Sequence, residues 1–300
     1  MALRDMLAGH FWLSLREFTL EANPGTADAA TVRAWKGAGV TRISVGVQSF
    51  DDRTLKTIGR GYSARTAVSF CEDVLAAGFA SVGFDLMIGI PGETRASAAA
   101  TLQETLRLKP DHVSLYILEN VEGLPFESVV ARQPADEDIV VENYAMFQAA
   151  LESAGLPQYE ISNFARPGHE CRHNLKYWRY EPFLGLGPSA CSHLGARRWC
   201  NKRTIGEWAA ALKGGRALEE EMIDLTPDVR AKEALVFGLR LLEGLDLVRF
   251  RDRYGVDLDV TFPDEIRELT QDGFLGRENG RLFIPAQKLL LSNHVFARFA

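Results

Sequence analysis

The chain has 300 residues, of which 46% are hydrophobic and 25% charged, a globular composition that excludes wholesale disorder. Its 34 basic and 40 acidic side chains give a formal net charge of -6, which argues against a non-specific nucleic-acid binder. No apolar run approaches the roughly 20 residues that cross a bilayer, and the first residues lack a secretory signal pattern, so we expect a cytoplasmic protein.

The four cysteines are too sparse for a disulfide scaffold. Cys71, Cys171, Cys191 and Cys200 form no C-x-x-C pair and lack the spacing of a structural zinc site. We therefore expect four reduced thiols, buried as free cysteines commonly are.

Strands and helices alternate along the first half of the chain. Apolar runs ending in turn signals predict strands at 17–22, 42–49, 82–90, 112–118 and 159–162. Helices are predicted at 2–9, 27–38, 51–58, 63–77, 93–107 and 136–154, with Ser63 as an N-cap. Because strands joined by crossover helices pair in parallel, the predicted fold class is α/β, with both faces of the sheet covered.

Four polar residues mark successive predicted strands. Glu21, Gln48, Asp85 and Glu119 each lie at or near a carboxyl end, at intervals close to one βα unit of roughly 30 residues. In a barrel of such units these ends converge on one face, where the active site lies. The alternative, that polar residues only mark where strands leave the core, is weaker for four in succession. The spacing itself names no ligand.

The number of strands falls short of a closed barrel. About five are predicted, whereas a closed barrel of this type needs eight. The strand at 17–22 then forms a bare edge, which favours dimerisation or aggregation. The sequence therefore predicts that another element covers this edge or that the N-terminal part of the barrel is missing from this chain.

The chain divides by composition into three parts. Residues 1–165 form the partial barrel, 166–225 a connecting segment and 226–300 a separate module. The module has predicted helices at 228–242, 247–253 and 263–272, the first interrupted by Gly238, and a hairpin turn at Asn279-Gly280. Three helices and a hairpin resemble a winged helix, but basic and acidic residues nearly balance there, which makes DNA binding the weaker hypothesis.

The connecting segment concentrates ligand-capable and aromatic side chains between Cys171 and Trp178. His173, and His193 further along, can ligate a metal or haem iron, although a lone loop histidine more often forms ordinary hydrogen bonds. Tyr177 and Trp178 are more typical of packing than of a clamp for a planar ligand. On spacing alone, both interpretations stay open.

Five ordered motifs resemble a known family. They are Leu20-Glu21-Ala22-Asn23-Pro24-Gly25-Thr26, Arg42-Ile43-Ser44-Val45-Gly46-Val47-Gln48-Ser49-Phe50, Ile58-Gly59-Arg60, Asp85-Leu86-Met87-Ile88-Gly89-Ile90-Pro91-Gly92 and His173-Asn174-Leu175-Lys176-Tyr177-Trp178. Together they resemble the HemW haem chaperones, radical S-adenosylmethionine (SAM) proteins often labelled oxygen-independent coproporphyrinogen III oxidase-like. The resemblance spans essentially the whole chain. It implies a partial (β/α) radical-SAM-type barrel that lacks its first strands, followed by a small C-terminal winged-helix-like helical domain.

The resemblance implies a SAM site in the barrel. In that family the barrel binds SAM and a [4Fe-4S] cluster, and Glu21, Gln48, Arg60 and Asp85 are implied to contact SAM. The chemistry is suitable, because carboxylates accept hydrogen bonds from ribose hydroxyls or an ammonium. A guanidinium can donate two parallel hydrogen bonds to a carboxylate. Asp85 has a structural alternative as a cap that bonds loop amides.

The resemblance also implies a haem site in the connecting segment. The H-N-x-x-Y-W motif, comprising His173, Asn174, Tyr177 and Trp178, is implied to take part in haem binding, with His173 as a candidate iron ligand. The implied partners are haem and the respiratory membrane proteins that accept it.

The cluster-binding motif of the family is missing. Radical SAM chemistry needs three thiolates, usually C-x-x-x-C-x-x-C, and nothing in this chain has that spacing. We therefore expect a fragment without the cluster segment rather than a cluster-free paralogue, and no reductive cleavage of SAM by these residues alone.

Three hypotheses from different classes follow. The first is a haem chaperone, favoured by the H-N-x-x-Y-W and Glu-Ala-Asn-Pro motifs. The second is an oxygen-independent coproporphyrinogen III oxidase of porphyrin biosynthesis, which requires the missing cluster. The third, a DNA-binding regulator acting through the C-terminal module, is the least favoured.

Overall fold

The protein, represented by a computed structural model that describes residues 2–10, 14–119 and 134–299, consists of two compact units. The first unit is Met1–Glu170 and the second is Cys171–Ala300. Helices and strands occur in both, which confirms the predicted α/β class. Within the described ranges, no helix combines the length and the apolar character that a membrane crossing requires.

The first unit alternates strands and helices as predicted. Its strands are β1 (Thr19–Ala22), β2 (Arg42–Gln48), β3 (Ser81–Ile88), β4 (His112–Ile117), β5 (Gln158–Glu160) and β6 (Asn163–Ala165). Its helices are α1 (Ala2–His10), α2 (Ala29–Gly37), α3 (Asp52–Thr57), α4 (Ala64–Ala76), α5 (Arg95–Leu108) and α6 (Glu137–Ser153). The predicted N-cap of α4 is confirmed, because Ser63 Oγ accepts a hydrogen bond from the Thr66 amide at 3.2 Å.

The six strands form one sheet in the order β1-β2-β3-β4-β6-β5. The first four pair in parallel, whereas β4 pairs with β6, and β6 with β5, in antiparallel fashion. The prediction of one strand at 159–162 in an all-parallel sheet was therefore wrong. Two short strands lie there, and the two-residue connection between them admits only an antiparallel hairpin, since a parallel pair needs a crossover. Among the described residues, β1 pairs only with β2, so it forms an edge as predicted.

The two faces of this sheet differ in polarity. On one face, buried apolar side chains pack with helices α2, α4, α5 and α6 in a single core, and they include Ile43, Val45, Val47, Phe84, Leu86, Val113, Leu115 and Phe164. The alternate positions on the opposite face include Ser44, Asp85 and Ser114. A parallel sheet covered by helices on both faces would be apolar on both. This polar face, which carries Ser44, Asp85 and Ser114, instead matches the interior wall of a barrel.

The second unit contains two small antiparallel sheets and seven α-helices in the part of the chain that the structure describes. Its strands are β7 (Cys191–Leu194), β8 (Arg197–Asn201), β9 (Glu219–Asp224), β10 (Leu245–Asp246), β11 (Gly276–Glu278) and β12 (Arg281–Phe283), in the sheet orders β7-β8-β9 and β10-β12-β11. Its helices are α7 (Arg172–Trp178), α8 (Ile205–Lys213), α9 (Pro227–Gly238), α10 (Leu247–Tyr254), α11 (Leu258–Thr261), α12 (Pro263–Gln271) and α13 (Ser292–Phe296), with a 3₁₀ helix at Ala286–Leu291. The sequence predicted no strands between 166 and 225.

The C-terminal hairpin is confirmed, while helix α9 is shorter than predicted. Asn279 and Gly280 join β11 to β12 with φ values of 51° and 74°, as a tight hairpin turn requires. Helix α9 ends at Gly238 instead of continuing to 242. A Cβ at Gly238 would lie 2.4 Å from Leu245 Cδ1, so the glycine lets the following chain pack closely where the helix stops.

Two of the four cysteines are disulfide-bonded, which corrects the expectation of four free thiols. Cys191 on β7 and Cys200 on β8 are register partners, and their sulfurs are joined. Cys71 is free and buried, and Cys171 is buried, as predicted. The sequence did not show this pairing because it depends on a hairpin that was not predicted.

Candidate functional site

Strand register brings two of the predicted site residues to the polar face. Glu21 on β1 lies opposite Ser44 on β2, and Asp85 on β3 lies opposite Ser114 on β4. Ser44 Oγ lies 3.0 and 3.1 Å from the two carboxylate oxygens of Asp85, to which it can donate. Asp85 therefore lies near the middle of β3, on the wall of the partial barrel. The prediction that it marks a strand end was wrong.

The polar face disfavours negative charge on Asp85. Burial raises the pKa of Asp85 and the nearby Glu21 adds repulsion, although hydrogen bonds from Ser114 and Ser44 act in the opposite direction. Desolvation, with a further contribution from Asp85, raises the pKa of Tyr116 to about 12. A cationic or hydroxyl-bearing ligand would relieve this excess of acceptors, since it supplies positive charge or donors.

The other two predicted residues meet around Asn23. Arg60 Nη1 donates to Asn23 Oδ1 at 3.0 Å. A Cβ on Gly46 would lie 2.6 Å from that same oxygen and 3.2 Å from Gln48 Nε2, so only glycine fits between them. Tyr62 adds support by donating to the Gly46 carbonyl at 2.7 Å. Arg60 and Gln48 are thus positioned by neighbours that the spacing argument did not identify.

Gln48 itself has an unusual conformation. Its φ is 63°, in the left-handed region, and the pairing of β2 with β3 shifts register between Val45 and Gln48. The residue is buried, and its Oε1 has no hydrogen-bond partner among the described residues. Left-handed backbone at a residue other than glycine costs free energy and is concentrated at functional sites. The unpaired buried Oε1 of Gln48 indicates a place where a hydrogen-bond donor of a ligand can bind.

The loop after β3 is held by a carboxylate that the sequence analysis missed. Glu93 accepts a hydrogen bond from the Gly89 amide at 2.8 Å and lies 3.4 Å from Asn143 Nδ2. Burial raises the pKa of Glu93 to about 7. The sequence signal was the turn run Gly89-Ile90-Pro91-Gly92. Both glycines have positive φ, and a turn of this kind leaves amides that need an acceptor. Glu119, the fourth strand-end residue, is exposed after β4.

The residues present do not fit an iron–sulfur cluster. Such a cluster needs a set of thiolates close together. Cys191 and Cys200 are bonded to each other, and burial raises the pKa of Cys71, which favours its protonated form. In the ranges that the structure describes, no three His, Cys, Asp or Glu side chains are grouped to hold a metal ion.

In the second unit, the H-N-x-x-Y-W motif forms helix α7. None of the seven residues of this helix is fully buried, and His173 is exposed. His173 and Tyr177 lie one turn apart, and their rings meet edge to face with centroids 4.9 Å apart. The Tyr177 ring in turn contacts Phe183 at 4.7 Å. The motif therefore presents an accessible imidazole beside aromatic surface.

The end of the motif belongs to an aromatic cluster, which we define as Trp178, Tyr180, Phe183, His193 and Phe237. Trp178 stacks on Phe237 with centroids 6.1 Å apart, and Tyr180 contacts His193 at 4.5 Å. Trp178 thus packs within the unit, as its residue type suggested. Burial lowers the pKa of His193, and its Nε2 has no hydrogen-bond partner in the described residues.

The cluster is anchored by one carboxylate. Tyr180 OH donates to Glu233 Oε2 at 2.6 Å, and Arg198 Nη1 donates to Glu233 Oε1 at 2.6 Å. Burial raises the pKa of Tyr180, and the contact with Glu233 raises it further. Tyr180 follows α7, Arg198 is on β8 and Glu233 is on α9, so sequence patterns gave no indication of this anchor.

Family models match both units. Residues 13–105 match the Radical SAM superfamily, and residues 225–291 match the HemN C-terminal domain. The chain is 31% identical over 290 residues to the haem chaperone HemW of Bacillus subtilis, covering 95% of this chain and 76% of that protein. It is 32% identical over 280 residues to the haem chaperone HemW of Escherichia coli, covering 89% of this chain and 72% of that protein.

A solved structure shares the fold. Coproporphyrinogen III oxidase (HemN) from Escherichia coli, described as a radical SAM enzyme, superposes with a TM-score of 0.83 over 99% of this chain and 73% of that chain. The sequence identity is 20%, so this likeness concerns the fold alone.

Proposed function

This chain belongs to the HemW haem chaperone family of radical SAM proteins, and from that premise we propose that it binds haem at helix α7 and passes it to another protein. The observation that carries the proposal is the exposure of His173 on that helix. Imidazole is a common axial ligand of haem iron. Tyr177, whose ring lies 4.9 Å from that of His173, supplies aromatic surface for the macrocycle.

The other motif residues have supporting roles in this proposal. Asn174 is half-buried on α7 and offers both a donor and an acceptor near the iron ligand. Trp178 fixes the end of α7 through its stacking on Phe237 and a guanidinium, that of Arg240, 4.2 Å above its ring. A haem held by one exposed ligand dissociates more readily than a buried haem, which suits a protein that hands haem on.

Absorbance titration with haem tests this proposal. We expect the wild type to develop a Soret band that saturates, and His173→Ala to weaken binding by about tenfold or more, because the axial ligand is lost. The control is His294→Ala, since His294 is also exposed in the second unit but contacts Phe274 instead of the motif. Equal spectra and affinities for the two variants would contradict the proposal.

We also propose that the polar face takes SAM. Asp85 and Glu21 would accept hydrogen bonds from ribose hydroxyls or the ammonium, and Gln48 Oε1 from a further donor. Arg60 would bind the carboxylate, exchanging its bond to Asn23 for a fork. When bound with a cluster, SAM supplies radical chemistry in this superfamily. The residues described here only bind and orient it.

Saturation-transfer NMR with SAM tests this second site, because it detects weak binding. Asp85→Asn should remove the SAM signal, since the substitution replaces one of the two acceptor oxygens with an NH2 group that only donates. Asp228→Asn, at an exposed position in the other unit, should leave it unchanged. Loss of signal in both variants, or in neither, would count against the assignment.

The recipient we propose is a respiratory membrane protein that requires haem. The support is the chaperone family to which the chain belongs. Transfer is measured by mixing the haem-loaded chain with vesicles that carry an apo-cytochrome and following haem absorbance after sedimentation. The absorbance spectrum of the holo-cytochrome should appear in the vesicle fraction, and protein-free vesicles should take up less haem. Equal uptake by both kinds of vesicle would contradict the proposed recipient.

A further inference from the structure

A cavity of about 250 Å³ lies within the second unit beside the haem motif. Trp178, the last residue of α7, forms part of its wall together with Tyr254 at the end of α10. This volume is below the roughly 300–1,000 Å³ of pockets that enclose a whole drug-sized ligand. The cavity can therefore take one edge or side chain of a macrocycle, but not the whole of it.

Four guanidinium groups line this cavity, those of Arg179, Arg249, Arg253 and Arg281. Three acidic side chains also line the cavity, Glu181, Glu243 and Asp246, so the four arginines leave one excess positive charge. Arginine is suited to binding carboxylates because its planar fork matches their geometry.

The positive charges at this wall are only partly neutralised. Glu243 is shared, at 3.2 Å from Arg281 and 3.8 Å from Arg179. Arg253 donates at 2.9 and 2.8 Å to the carbonyls of Arg179 and Tyr180, and among the described residues no carboxylate lies within 4.0 Å of it. A neutral carbonyl satisfies a donor without cancelling the charge, so this guanidinium favours an added anion.

We propose that this cavity binds the carboxylate edge of a porphyrin, so that the propionates of haem meet Arg249 and Arg253 while the macrocycle extends towards α7. The inference rests on the proposed haem binding and names the groups that recognise the ligand's acidic side chains. The aromatic side chains of the wall can pack against the apolar ring of the porphyrin. The guanidinium groups beside them can bind its anionic propionates. The Arg249 side chain is 87% exposed and can therefore change its conformation to meet a propionate. It lies 3.5 Å from Asp246.

The test compares haem with its dimethyl ester, which keeps the iron and the macrocycle but lacks both negative charges. For the wild type we expect the ester to bind about tenfold more weakly, corresponding to the loss of charge-assisted hydrogen bonds. Arg249→Gln should weaken haem binding about threefold and leave ester binding unchanged. Arg253 is not varied, because it also holds two backbone carbonyls.

The matched control is Arg251→Gln on the same helix. Arg251 does not line the cavity and lies 3.9 Å from Asp257. Equal affinity of the wild type for haem and ester would overturn the propionate assignment while haem binding itself stands. An equal effect of Arg249→Gln and Arg251→Gln on haem binding would also overturn it. If neither ligand binds, the proposed function fails instead. The wild-type comparison does not depend on whether any variant folds.

Discussion

The two units build their candidate sites in different ways. In the first, backbone register places Ser44, Asp85 and Ser114 together, so the site follows from how the strands pair. In the second, side-chain packing brings together Trp178 and Phe237, which are distant in sequence. Hydrogen-bonded strands fix positions through the backbone, whereas stacked rings fix them through the side chains. The first arrangement buries polar groups where negative charge is disfavoured, and the second leaves the His173 imidazole exposed.

Two neighbouring residues on β3, Phe84 and Asp85, should differ strongly in how much their substitution lowers the free energy of unfolding. Phe84 is completely buried on the apolar face and contacts Phe50 edge to face at 6.4 Å. Phe84→Ala should therefore lower the free energy of unfolding by about 3–5 kcal/mol, through lost burial and a cavity. Asp85→Asn should change it by less than about 1 kcal/mol, because burial already disfavours the charge. Urea denaturation measures both, and similar losses would contradict the assignment of the two faces.

The Glu93 carboxylate should make the stability of the first unit depend on pH. Its pKa is raised to about 7 from an ordinary value of 4.5, so the folded state binds the proton more tightly than the unfolded chain. This contribution is complete below pH 4.5 and is lost as the pH rises through about 7. At about 1.4 kcal/mol per pKa unit, the loss is about 3 kcal/mol.

Glu93→Gln should remove that loss and flatten the dependence. Unfolding free energies of the two proteins at a series of pH values from 4.5 to 7.5 provide the measurement. The difference between them, rather than either curve alone, isolates Glu93 from other carboxyl groups. Parallel curves would show that Glu93 does not hold its proton as described.

The disulfide between Cys191 and Cys200 should stabilise the second unit by a smaller amount. It closes a loop with a sequence separation of 9, for which chain entropy predicts about 2–3 kcal/mol. Replacing both cysteines by serine should lower the stability of this unit by that amount. A phosphine reductant should do the same to the wild type and have no effect on the double variant. A reductant effect that persists in the double variant would place its target elsewhere.

The regular part of the fold could be predicted from sequence, and the irregular part could not. Strands β1 to β4 and the helices between them carry strong apolar periodicity and cap residues such as Ser63, so their positions were predicted closely. Strand β9, Glu219–Asp224, is mostly exposed and has no alternation that would reveal it. The antiparallel hairpin of β5 and β6 was missed because its strands have three residues each.

The same distinction applies to the candidate sites. The motifs identified Asp85 and His173, but the contacts that position them depend on residues that only the folded chain brings near. Ser44 reaches Asp85 from the neighbouring strand β2, and Glu233 on α9 reaches Tyr180, which follows α7. Pairings of this kind connect distant segments, and no periodicity within one segment encodes them.

In the proposed function, haem binds at α7 and not at the polar face. A haem titration of His173→Ala alongside Asp85→Asn, followed at the Soret band, tests it most directly. We predict that His173→Ala weakens haem binding by about tenfold or more and that Asp85→Asn leaves it at the wild-type value. Retention of wild-type affinity by His173→Ala, or an equal loss in Asp85→Asn, would show that haem does not bind specifically at α7.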